Sequence, residues 1–149
     1  MRMIVLAVDG SAHSIRAASM AGELSGAMRV PVNVLHVVPE GKRLIPSESV
    51  KEYSDLEHIN LTHQDLLEAA GAQIVTEAQR VVVESGGSVS TADVRSGAAA
   101  HEIANYVKDH EADCIVMGRR GLGDLEGLFM GSVSNKVGQL TPVTLVTTE

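Results

Sequence analysis

Five short runs rich in apolar and β-branched residues punctuate this sequence, at residues 3–8 (MIVLAV), 30–38 (VPVNVLHVV), 88–95 (SVSTADVR), 112–117 (ADCIVM) and 142–148 (PVTLVTT). A stretch with helical spacing lies between each run and the next. Residues 12–27 carry Ile15, Ala18 and Leu24 near one face, with Met28 just beyond, and residues 61–84 carry Leu66, Leu67, Ala70, Ile74, Ala78 and Val81. Residues 98–110 carry Ile103, Ala104 and Val107, and Val133, Val137 and Leu140 fall at i, i+4 and i+7. The first run is continuously apolar, as a strand covered on both faces must be. Residues 88–95 alternate only weakly and read as an edge strand. Strands that alternate with helices make a parallel sheet with helices on both faces, an α/β fold. Residues 39–60, polar with Gly41 and Pro46, read as an excursion holding at most a short helix. No internal repeat is visible, and 149 residues make one domain, 1–149, with room for a single sizeable core.

Composition excludes some partners. Aromatic residues are 2% of the chain, namely Tyr53, Tyr106 and Phe129, so the core is built of Val, Leu, Ile, Ala and Met. So few rings argue against stacking on single-stranded nucleic acid. A net charge of −7 argues against nucleic acid and anionic membranes alike. No apolar run approaches the roughly 18 residues of a membrane span, and the expectation is a cytoplasmic protein. Cys114 has no second cysteine to pair with and sits among Ile115, Val116 and Met117 as a core residue.

The chemistry concentrates in residues 118–137 (GRRGLGDLEGLFMGSVSNKV), where a strand gives way to a glycine-bearing loop and then a helix. Gly118 and Gly121 permit tight turning and close approach of a ligand to the backbone. Gly131-Ser132-Val133-Ser134 stands where a helix begins, with amides lacking helical partners and two hydroxyls. Such an end attracts anions, which makes it a candidate phosphate cradle. The plainer alternative is that the glycines turn the loop and the serines cap the helix. The stretch is neither a P-loop, because no Gly-Lys-Ser/Thr occurs, nor the G-x-G-x-x-G dinucleotide fingerprint. Topology breaks the tie: parallel sheets bind ligands outside the carboxyl ends of their strands, where the winding reverses. If the first three strands wind one way and the last two the other, the loops there are Asp9-Gly10-Ser11 and residues 118–130.

At these residues the chain resembles the universal stress protein family over essentially its whole length. The first run ends in Val8-Asp9-Gly10-Ser11, the second contains Leu35-His36-Val37, and two residues separate Gly118 from Gly121 while nine separate Gly121 from Gly131-Ser132. That last pattern distinguishes the ATP-binding members. The resemblance implies a five-stranded parallel sheet in the order 3-2-1-4-5, Rossmann-like and of the adenine nucleotide alpha hydrolase-like type. It implies ATP, or AMP or ADP, as ligand, with Mg²⁺ able to ride on the phosphates. Asp9 would bond the ribose or adenine side, and Ala7, Val37 and Met117 would line the adenine slot. Gly118 and Gly121 would wrap ribose and phosphates, while Gly131, Ser132, Val133 and Ser134 would hold the phosphates. The Gly131 amide is expected to lie against a phosphate with no room for a Cβ. Two departures touch no ligand chemistry: Gly97-Ala98-Ala99 lacks the proline common two residues after the glycine, and Thr141 precedes Pro142 where a small residue or Cys is usual.

The resemblance further implies a stress-linked regulatory module, homodimeric through the last strand, where no charge interrupts residues 143–148 and nothing evident blunts the edge. The alternatives are a slow ATPase or self-phosphorylating protein with Ser132 or Ser134 as acceptor, and a nucleotide-free dimeric docking module. No evident base or Walker-type lysine supports fast catalysis. The histidines at 13, 36, 58, 63, 101 and 110 are scattered without metal-ligand spacing, so no protein-held metal and no catalytic residue is expected. A Ser11–His36–Asp9 relay is set aside for want of a G-x-S-x-G elbow. Arg119 and Arg120 either neutralise phosphate charge or are simply solvated, and Lys136, Asp124 and Glu126 read as surface charges.

Overall fold

A computed structural model of the chain describes residues 1–39, 63–121 and 130–149. The expected excursion at 39–60, the helix start at Leu61, and Tyr53, His58, Asp124, Glu126 and Phe129 fall, from residue 40 onward, outside the described residues. The elements are β1 (Ile4–Val8), α1 (Ala12–Met28), β2 (Val32–Pro39), α2 (His63–Glu84), β3 (Val89–Gly97), α3 (Ala99–Asp109), β4 (Cys114–Gly118), α4 (Ser132–Leu140) and β5 (Thr144–Thr148). All ladders are parallel and the order is β3-β2-β1-β4-β5, a five-stranded sheet wound both ways from β1. Registers set Ala7 of β1 between Leu35 of β2 and Met117 of β4. These residues therefore rise to one level at the carboxyl end.

Each central strand is buried on both sides, so alternation feeds two cores. Ile4, Leu6 and Val8 face the layer holding Ala17, Ala21 and Val82, from α1 and α2. Val5, Ala7 and Met117 face Ile103, Val107 and Val137, from α3 and α4. Cys114 is buried in the first core, and burial pushes its thiol up, away from the reactive thiolate.

In α3 Ile103 and Val107 are buried as expected, whereas α1 and α2 bury smaller residues most deeply, with Leu24, Ile74 and Val81 packed partly buried against the same core. In α1 the buried face is Ser14, Ala17, Ala18, Ala21, Gly22 and Ser25, while Met28 is exposed. Its backbone lies against the end of α2: a Cβ on Gly22 would meet the Val82 carbonyl oxygen at 2.5 Å, and one on Gly26 the Gly86 oxygen at 2.6 Å. Only small residues fit there. In α2 the buried stripe is Val75, Ala78 and Val82, and Ala70 is exposed. Among the described residues no helix is long and apolar enough to cross a membrane.

Candidate functional site

At the carboxyl ends of β1, β2 and β4 the two winding directions part and leave a cavity of about 360 Å³. One wall is apolar: Ala7, Leu35, Val37, Ile103 and Met117 line it. Val37 and Met117 are 9% and 6% exposed, so the slot is preformed by packed core side chains. Of the residues named from sequence, Ala7, Asp9, Val37, Met117, Gly118, Gly121, Ser132, Val133 and Ser134 all line this one cavity, and Gly131 stands beside it as the N-cap of α4.

The rest of the lining is largely polar and includes residues at helix starts. Ser11 caps α1 by accepting the Ser14 amide at 3.2 Å, and the Ser14 hydroxyl donates to the Ser11 carbonyl at 2.9 Å. The Asp9 carboxylate accepts the Ser11 amide at 2.9 Å, which fixes its orientation at the cavity rim. Among the described residues Asp9 is the only carboxylate on the wall. Gly10 follows at φ +83°, a backbone that favours glycine and turns β1 sharply into α1.

At α4 the geometry corrects part of the expectation. The Gly131 amide donates to the Arg119 carbonyl at 2.7 Å, so it is spent on the protein rather than aimed at a phosphate. The buried Ser134 hydroxyl likewise donates to the carbonyls of Arg119 at 2.8 Å and Gly131 at 3.1 Å. Gly131 and Ser134 thus tie the loop to the helix. The first-turn positions left facing the cavity are Ser132 and Val133, both exposed. Gly118 is required by close contact: a Cβ there would meet His13 Cβ at 2.8 Å and the Arg120 carbonyl oxygen at 3.0 Å.

The sequence reading missed Ser14, Leu35, Ala99 and Ile103 on the wall, because they look like ordinary helix and strand interior. It also left the two arginines undivided. The Arg119 amide donates to Thr148 at 2.7 Å and its guanidinium pairs with Glu149. Both arginines line the cavity and both have a buried Nε without a hydrogen-bond partner, but among the described residues Arg120 has no ion pair. His36 gives its Nδ1 hydrogen to the Val8 carbonyl at 2.8 Å, since a carbonyl can only accept. Ser11, His36 and Asp9 are close in the fold, and the Ser11 hydroxyl, the His36 Nδ1 and the Asp9 carboxylate each bond to main chain. Among the described residues no three His, Cys, Asp or Glu side chains gather as a metal site.

The sequence model of the universal stress protein family matches residues 1–148. Universal stress protein YxiE of Bacillus subtilis is 32% identical over 145 residues, covering 96% of this chain and 97% of the relative. A universal stress protein of Thermus aquaticus is 31% identical, covering 91% of this chain and 90% of its own. A solved universal stress protein in complex with cAMP superposes with TM-score 0.71 at 19% identity, over 99% of this chain and 96% of the other. One from Archaeoglobus fulgidus in complex with dAMP does so with TM-score 0.68 at 22% identity, over 100% of this chain and 98% of the other. At such identities the two structures speak for the fold.

Proposed function

The chain belongs to the universal stress protein family, and from that premise we propose that it binds an adenine nucleotide, ATP foremost, and works as a stress-linked regulatory module. The base lies between Ala7, Val37 and Met117, with the ribose toward Asp9. The phosphates run toward the first turn of α4 at Ser132 and Val133, under the loop that leaves β4 through Gly118 and Gly121. Gly131 and Ser134 act by holding that loop to the helix. A Mg²⁺ ion, where one is carried, comes with the phosphates.

The observation that carries this reading is one cavity lined both by buried apolar residues and by helix starts. Its volume of about 360 Å³ lies in the range of about 300–1,000 Å³ usual for small-molecule sites. An adenine ring suits the slot, and an anion suits helix starts. The relatives solved with cAMP and dAMP support the same ligand class. The buried, donated hydroxyl of Ser134 argues against it as a phosphoryl acceptor, which leaves a self-phosphorylating reading with Ser132 alone. We also propose a homodimer through β5, an edge strand of the sheet.

Calorimetric titration of the purified protein with ATP and with adenosine tests the binding mode. Both should bind saturably, one per chain, and Asp9→Ala should weaken both by similar factors, because Asp9 reads the nucleoside. A loss confined to ATP would place Asp9 on the phosphates instead, and no saturable binding of either ligand would remove the reading.

A further inference from the structure

We propose that Arg120 is the residue through which the cavity reads phosphate charge, setting a preference for nucleoside polyphosphate over the uncharged nucleoside. This deepens the adenine-nucleotide reading and rests on it.

Two adjacent arginines leave β4 and meet opposite fates. Arg119 belongs to the scaffold: its guanidinium pairs with Glu149, and its carbonyl receives both the Gly131 amide at 2.7 Å and the Ser134 hydroxyl at 2.8 Å. Both arginines line the cavity, but none of the ion pairs among the described residues involves Arg120. Its Nε is buried without a hydrogen-bond partner, as is that of Arg119, but the Arg119 guanidinium has Glu149 as an ion-pair partner. A buried donor left unpaired is costly, and more so on a charged group. A guanidinium at a cavity wall with no ion-pair partner among the described residues gains by having a ligand supply the acceptor.

The surroundings favour an anion as that acceptor. The chain carries −7 overall, yet the only carboxylate on this wall among the described residues, Asp9, already accepts the Ser11 amide. The guanidinium is a planar fork of donors that matches phosphate oxygens. The turn that carries it is held tightly, because Gly118 packs against His13 with no space for a Cβ at 2.8 Å. The backbone that carries Arg120 is therefore fixed, and Arg120 lines the same cavity as Ser132 and Val133.

The test is calorimetry with ATP, adenosine and inorganic tripolyphosphate on the wild type, Arg120→Gln and Arg120→Lys. Circular dichroism verifies the fold of each variant. Arg80→Gln serves as a control, since Arg80 is an exposed α2 cation paired with Glu77 and Glu84. Arg120→Gln should weaken ATP by at least about tenfold while adenosine stays within about twofold. Arg120→Lys should recover part of the loss, and Arg80→Gln should bind as wild type does. Salt should weaken ATP binding less in Arg120→Gln than in the wild type.

The proposal is overturned if a folded Arg120→Gln binds ATP as the wild type does, or loses ATP and adenosine in equal measure. Wild type that binds tripolyphosphate through Arg120 but ignores adenosine upholds the Arg120 assignment and removes the adenine reading. Adenosine and ATP binding that both ignore Arg120 does the reverse. Failure of all three ligands on the wild type removes both.

Discussion

The Tyr106 ring is buried between α3 and the sheet, and its hydroxyl donates to the Asp93 carboxylate at 2.5 Å and meets the Thr91 hydroxyl at 2.9 Å. Burial first, and the bond to Asp93 second, push its pKa up to about 12 from 10.0. Its folded value lies above its unfolded one, so the linked stability is fully present below pH 10.0 and is lost as pH rises toward about 12. The midpoint of thermal unfolding should fall across that window in the wild type, and fall distinctly less in Tyr106→Phe. Parallel falls in the two proteins would contradict the assignment. Single residues at the site obey the same logic of partners. Asp9 and Gly118 could be read from sequence because strand ends and glycines announce themselves. The fates of Arg119 and Arg120 could not, since they turn on Glu149, Gly131 and Ser134 arriving from elsewhere in the chain.

Among the elements, α1 depends most on close approach. Replacing an internal helical glycine by alanine ordinarily stabilises by about 1 kcal/mol. At Gly22 the new Cβ meets the Val82 carbonyl oxygen at 2.5 Å, which is backbone and cannot step aside cheaply. Overpacking of this kind costs about 1–3 kcal/mol, so the clash outweighs the propensity. Gly22→Ala should therefore lower stability in denaturant titration, and any increase would show that α1 and α2 separate more easily than their packing implies. The same contact explains what sequence periodicity missed. Apolar spacing picks Ile15, Ala18, Leu24 and Met28, of which Ala18 is buried and Leu24 packs against the core, while the rest of the buried face is alanine, serine and glycine. In α2 the most buried residues are Val75, Ala78 and Val82, with the expected Ile74 and Val81 partly buried against the same core. The strands were legible because a doubly covered strand must be apolar throughout, as β1 and β4 are.

For the whole molecule, the sheet ends in two edges, β3 and β5. The Thr144 amide donates to the Asp113 carbonyl at 3.2 Å, toward β4, so by alternation the Thr147 amide points away from the sheet. If β5 pairs with itself across a two-fold axis, Thr147→Pro removes an outward donor while sparing the ladder to β4. Light scattering should then find the wild type dimeric and Thr147→Pro monomeric, and a wild type monomeric at high micromolar concentration would refute the interface. The order of the sheet also explains why the site was visible early. Winding both ways from β1 forces the ends of β1, β2 and β4 and the starts of α1 and α4 to one place, wherever the side chains then settle. The most direct test of the central claim is a titration of the ¹⁵N-labelled protein with ATP, followed through its backbone amide resonances. Saturable shifts should concentrate at Ala7, Asp9, Val37, Met117 and Val133, with β3 unmoved. Shifts that fail to saturate at millimolar ATP, or that gather away from the carboxyl ends of β1, β2 and β4, would contradict it.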